Sequence, residues 1–166
     1  GQTRATMLVG DLERAWWLDV PPAHDGRTPI PLVVNLHGYS DSARAVVDTR
    51  MGPYGERMGF ATVSPEGRGF IQHWLFELDR PAIDITTANP DIAFIEALLD
   101  RLSAELCLDL ARVYVTGFSN GGWLASALSC TLSGRIAAVA PVGGVLDLGD
   151  TCRPERTVPM IAFFGT

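Results

Sequence analysis

At 166 residues, nearly half of them apolar and 19% charged, the chain is long enough for one domain with a sizeable core and too hydrophobic to be disordered. Net charge is −6 and all 13 basic residues are arginine, which removes the phosphate-loop motif with its required lysine and argues against a nucleic-acid partner. The most apolar run, 136–146, contains Pro141, Gly143 and Gly144 and is too short to span a membrane, so no membrane partner is expected.

The first residues show no leader pattern and suit a mature N-terminus as well as a cut end. Ala5 to Val9 and Ala15 to Val20 read as short strands separated by Gly10-Asp11, the antiparallel edge of a sheet. A proline-rich polar loop follows, with His24 expected as a solvated loop residue. Pro31 to Leu36 is a continuous apolar strand that runs straight into His37-Gly38-Tyr39-Ser40. In serine hydrolases built on a parallel sheet, a buried strand followed by His-Gly carries one oxyanion donor, here the N–H of Tyr39. His37 precedes Ser119, the serine of the Gly-Phe-Ser-Asn-Gly run at 117–121 and the candidate nucleophile, whereas the base of that architecture follows it; His37 is therefore expected to hydrogen-bond the loop that shapes the hole.

Ser40-Asp41-Ser42 can cap a helix from about Ala43 to Met58, interrupted at Gly52-Pro53. Phe60 to Ser64 is the next strand. Gly67-Arg68-Gly69 lacks the third glycine of a dinucleotide fingerprint and opens no helix, so it is a loop. From Phe70 to Ala88 the sequence has no clear period. It leaves the same end of the sheet as the candidate nucleophile, which makes Trp74 and Phe76 candidate substrate-contacting aromatics; the other reading is that they cover the core. Asn89-Pro90-Asp91 supplies a cap, a first-turn proline and an acid that suits the helix dipole; Ile92, Ile95, Leu98, Leu99, Leu102 and Leu106 follow at helical spacing.

Arg112 to Gly122 is the stretch on which the rest depends. An apolar, β-branched strand ends in Gly117-Phe118-Ser119-Asn120-Gly121, and a helix begins at once with Trp123-Leu124-Ala125. Strand, sharp turn with serine, then helix is the context that makes Gly-x-Ser-x-Gly a mechanism rather than a pattern. The glycines permit close approach of strand and helix, and the first helical N–H groups face a developing oxyanion. Ile136 to Val142 is a further buried strand, and Met160 to Phe164 a last one. The alternation predicts a single domain over 1–166: an α/β fold with a mostly parallel sheet and helices on both faces.

Taken together, 33–39, 59–67, 91–95, 112–122, 136–144 and 158–166 resemble the secreted esterase branch of the α/β-hydrolases, which includes poly(3-hydroxybutyrate) depolymerases, feruloyl esterases and acetyl xylan esterases. The resemblance implies Ser119 as nucleophile, the N–H groups of Tyr39 and Asn120 as oxyanion hole, a small or polymeric ester as substrate, no cofactor or metal, and an extracellular location. In that family the segment matching Gly165-Thr166 leads into the loop with the catalytic acid, and the base lies further on. The expectation is thus a chain truncated at its C-terminus, with an exposed edge at its last strand; Asp147 and Asp150 are read as loop acids. Relatives carry cysteines near the positions of Cys107, Cys130 and Cys152. That implies one disulfide involving Cys130, with Cys152 the better partner and Cys107 the alternative, against a reading of three free thiols. An esterase (with peptidase as a variant), a non-catalytic polymer-binding module and an inactive fragment are the competing functions.

Overall fold

The computed structural model describes residues 1–47, 49–74 and 84–165. Six strands form one sheet in the order β1-β2-β4-β3-β5-β6. Strands β1 (Gln2–Val9) and β2 (Leu12–Asp19) form a hairpin closed by Gly10-Asp11, with Gly10 at φ 58°, where a residue with a side chain would be strained. β2 joins β4 (Ala61–Pro65) antiparallel, and from there β4, β3 (Ile30–Leu36), β5 (Leu108–Phe118) and β6 (Ala138–Val142) run parallel. The parallel strands read as continuous apolar runs because they are covered on both faces.

Alternation along the strands divides those faces. Leu32, Val34, Leu36, Ala61, Val63, Val113 and Val115 belong to one core cluster with Ile92, Ile95, Leu98, Leu102, Leu124 and Leu128. These last residues come from α3 (Pro90–Glu105) and α4 (Asn120–Thr131), which pack on each other. The intervening Thr62 and Ser64 turn to the other face. There α1 (Ala43–Val47) and α2 (Met51–Met58) lie against β4. At the start of α3 the Asn89 side chain accepts from the Asp91 N–H at 2.9 Å, as the cap-proline-acid pattern predicts.

Three expectations are corrected. The interruption of the first helix lies before Gly52-Pro53, at Arg50, whose φ is 68°. Pro53 falls in the first turn of α2, where its missing N–H costs no helical hydrogen bond. Met160 to Phe164 is an extended segment that makes isolated parallel bridges to β6, Val139 with Met160 and Val142 with Phe163, and is not a full strand. Its main chain is bonded on one side to β6, and the side chains of Met160, Ile161, Phe163 and Phe164 are all exposed. His24 is not solvated: its loop folds back through a His24 N–H bond to Pro21 O at 2.9 Å, and both ring nitrogens are shielded from solvent.

Cys130 and Cys152 are joined by a disulfide, and Cys107 is free with its thiol donating to Arg27 O at 3.3 Å. A short 3-10 turn, Gly149–Thr151, precedes Cys152.

Candidate active site

The parallel ladder places two strand ends side by side: Leu36 of β3 is paired with Gly117 of β5. The turn after β3 and the turn after β5 therefore meet at the C-terminal edge of the sheet. Ser119 occupies the second turn with φ 51° and ψ −113°, a conformation outside the usual regions for a residue with a Cβ. Its N–H donates to Val142 O at 2.8 Å and its carbonyl accepts from Trp123 N–H at 3.1 Å, so both sides of the turn are held.

Sterics enforce the glycines. A Cβ on Gly117 would strike the Gly121 carbonyl, one on Gly144 would strike the Ser119 carbonyl, and one on Gly121 would sit 2.5 Å from both Leu36 O and His37 O. Strand, helix and neighbouring turn are in backbone contact. A Cβ on Gly38 would lie 3.7 Å from the Ser119 Cβ, which brings the Gly38-Tyr39 turn up against the serine. Ser119 is partly exposed, and Asn120 opens α4 at the end where helical N–H groups lack intrahelical acceptors. A hydroxyl at the start of a helix, where main-chain N–H groups lack intrahelical acceptors, stands where a carbonyl could be attacked beside hydrogen-bond donors.

His37 is fully buried, and both ring nitrogens are used. Nδ1 donates to Gly38 O at 2.7 Å, and Nε2 accepts from Gly67 N–H at 2.9 Å. Burial holds its pKa below the ordinary value; the bond to Gly38 O pulls upward without reversing this. A neutral imidazole with a fixed tautomer and no spare lone pair cannot serve as a base.

Trp74 is buried completely, with its indole N–H on His37 O at 2.8 Å, so its ring presents no surface to a substrate. Of its two readings, the structure favours the one inside the core. Phe76 lies outside the described residues. Tyr39 is 43% exposed with its ring 5.9 Å from that of His73. It borders an open depression of about 430 Å³, whose other walls include Asp41, Phe70, Ile71 and Gln72.

Two features escape the sequence reading. The Asn120 side chain clasps the Trp74 main chain, accepting from its N–H at 2.7 Å and donating to its carbonyl at 3.1 Å. Asp91, read only as a first-turn acid, is fully buried between Arg14 and Arg68, at 2.9 and 3.1 Å. Arg14 also donates to Pro90 O and Glu66 O and lies 4.1 Å from the centre of the Phe94 ring. Desolvation lowers the Arg14 pKa and Asp91 opposes that shift. The available signal for this network was the position of Arg14 in β2, beside the apolar Ala15-Trp16-Trp17-Leu18 run of a strand paired on both sides. Among the described residues no group of three or more His, Cys, Asp or Glu side chains is gathered to hold a metal ion. No helix among them is long and apolar enough to cross a membrane.

Comparisons with known proteins bear on the family and the fold. The family model described as esterase PHB depolymerase matches residues 15–152. The chain is 31% identical over 115 residues to poly(3-hydroxyalkanoate) depolymerase C of Paucimonas lemoignei, covering 69% of the chain and 28% of that protein. It is 29% identical over 140 residues to feruloyl esterase C of Emericella nidulans, covering 82% and 48%. Among solved structures, an acetyl xylan esterase from Aspergillus awamori superposes with a TM-score of 0.71 at 15% identity, over 86% of this chain and 52% of that one, a likeness of fold. The chain spans about half the length, or less, of these relatives.

Proposed function

The chain belongs to the esterase PHB depolymerase family, and from that premise we propose that it carries the nucleophile half of a serine-dependent carboxylic ester hydrolase. Ser119 Oγ attacks the ester carbonyl, the N–H groups of Tyr39 and Asn120 hold the oxyanion, and collapse expels the alcohol to leave an acyl-serine. Water then releases the acid. A base outside residues 1–166, backed by an acid, takes the serine proton, passes it to the leaving alcohol and later deprotonates the water. The observation that carries this reading is the conformation of Ser119, since a serine held at φ 51° and ψ −113° between two clamped turns has no purpose in a plain βα connection. The substrate class is a polyester or a feruloyl or acetyl ester of plant cell walls, as the names of the relatives suggest. The depression beside Tyr39, Phe70 and Ile71 is open enough to admit a chain-like substrate. The Cys130–Cys152 disulfide supports an extracellular location.

The test uses this chain and a form extended by about a hundred residues of its source gene, each given a short-chain chromogenic ester and a fluorophosphonate probe. The extended form is expected to label and turn over, and Ser119→Ala to abolish both. Turnover that survives Ser119→Ala would remove the nucleophile assignment. Polymer binding without labelling in the extended form would make the domain a hydrolase-like binding module.

A further inference from the structure

The two halves of the proposed oxyanion hole come from different elements, the turn after β3 and the first turn of α4. They touch directly at Gly121 and His37, and a third piece of chain ties them together as well. The Asn120 side chain makes both of its hydrogen bonds to the main chain of Trp74, at 2.7 and 3.1 Å. The Trp74 indole reaches the other way, to His37 O at 2.8 Å, and its ring lies 4.7 Å from the imidazole. His37 in turn ties Gly38 O on its own turn to Gly67 N–H on the loop that leads to Trp74. All three side chains are shielded from water: Trp74 and His37 at 0% exposure, Asn120 at 2%.

We propose that Trp74 and the Asn120 side chain are positioning residues that form a strut between the two donor turns, setting the width of the oxyanion hole. The inference rests on the esterase reading above. Packing alone would be served by an apolar residue at 120; the amide is used because it satisfies both polar groups of Trp74, which sits in a loop without a ladder partner for either. The remote end of that loop is anchored as well. Arg68 exchanges two main-chain bonds with His73, each 3.1 Å, and its guanidinium is held by the buried Asp91. The strut therefore stands on a fixed base.

A strut acts on the transition state and little on the ground state. The ester carbonyl binds weakly to both donors, whereas the tetrahedral oxyanion needs both at short range. Releasing one end lets the Gly38-Tyr39 turn drift from α4, and displacements near 1 Å cost up to about a hundredfold in rate.

The experiment compares parent, Trp74→Phe and Asn120→Ala in the full active protein, with active sites titrated to completion by a fluorophosphonate. Trp74→Phe keeps an aromatic ring near His37, removes the indole donor and leaves a small cavity in place of the second ring. The expected result is kcat per titrated site lower by about tenfold in Trp74→Phe and about a hundredfold in Asn120→Ala, with KM within about twofold. The inhibition constant of an alkylboronate, which forms a tetrahedral adduct on serine, should rise by the same factors. Unchanged kcat per titrated site, or a KM rise with an unchanged boronate constant, would overturn the strut. If Asn120→Ala does not fold, Trp74→Phe still decides. A parent protein that neither labels nor turns over sinks the esterase reading, and the strut with it.

Discussion

Ser119 holds a conformation that an L-residue adopts at a cost, with its Cβ crowded at φ 51°. Such strain amounts to about 1–3 kcal/mol, and glycine avoids it while adding back roughly 0.5–1 kcal/mol of unfolded-state entropy. Ser119→Gly is therefore expected to be more stable than Ser119→Ala by about 1 kcal/mol in urea denaturation, although both lose the hydroxyl. Equal stabilities would mean that the turn stores no strain. His37 makes a second prediction. Its native pKa lies below the unfolded value, so it is neutral in the fold while the unfolded chain takes up a proton. Stability is then complete above about pH 6.5 and falls as the pH drops toward the native pKa, with a slope of at most about 1.4 kcal/mol per pH unit. The carboxylates of Asp25, held down by the Thr28 N–H, and Asp109, held down by Arg112, weaken only nearer about pH 4. Denaturant titrations from pH 5 to 8 test the sign; a flat profile would contradict the neutral, buried imidazole.

Elements were more legible in the sequence than the contacts between them. The strand-serine-helix turn, the cap of α3 and the hairpin at Gly10-Asp11 are written in short-range chemistry: glycines where backbones touch, a proline where no N–H is needed, apolar periods of 2 and 3.6. Trp74 shows where that information ends. An aromatic in an aperiodic segment could face substrate or core, and only the fold brings it under the Asn120 amide, 46 residues away in sequence. Asp91 behaves alike. Its place after Asn89-Pro90 explains it as a helix-start acid, and nothing local tells that Arg14 and Arg68 converge on it from β2 and from the loop after β4. Long-range polar pairs leave no period. The charges on this network are retained although burying them costs several kcal/mol each before pairing, and the loop they fix is the one on which Trp74 stands.

At the scale of the molecule the two margins of the sheet differ. One is the β1–β2 hairpin, closed by its own turn. The other is 160–164, tied to β6 by the N–H groups of Ile161 and Phe163 on Val139 O and Pro141 O, at 3.1 and 3.0 Å. The disulfide to Cys152 anchors the approach to this margin; closing a loop of 22 residues contributes roughly 3 kcal/mol by chain entropy. Because 161 and 163 face β6, the main-chain groups of 160, 162 and 164 face outward, beside the exposed side chains of Ile161 and Phe164. An apolar edge with no strand partner among the described residues is a template for a second strand, so residues 1–166 alone are expected to self-associate through it. Ala162→Pro removes an outward N–H and leaves both inward bonds intact. It should shift the chain toward monomer with stability little changed. Ile161→Pro, which deletes an inward bond, should instead cost about 1 kcal/mol. Light scattering over a concentration series reads the first effect and urea denaturation the second. If Ala162→Pro associates as the parent does, main-chain pairing at this edge is not what joins the copies, and the side chains of Ile161 and Phe164 become the surface to change.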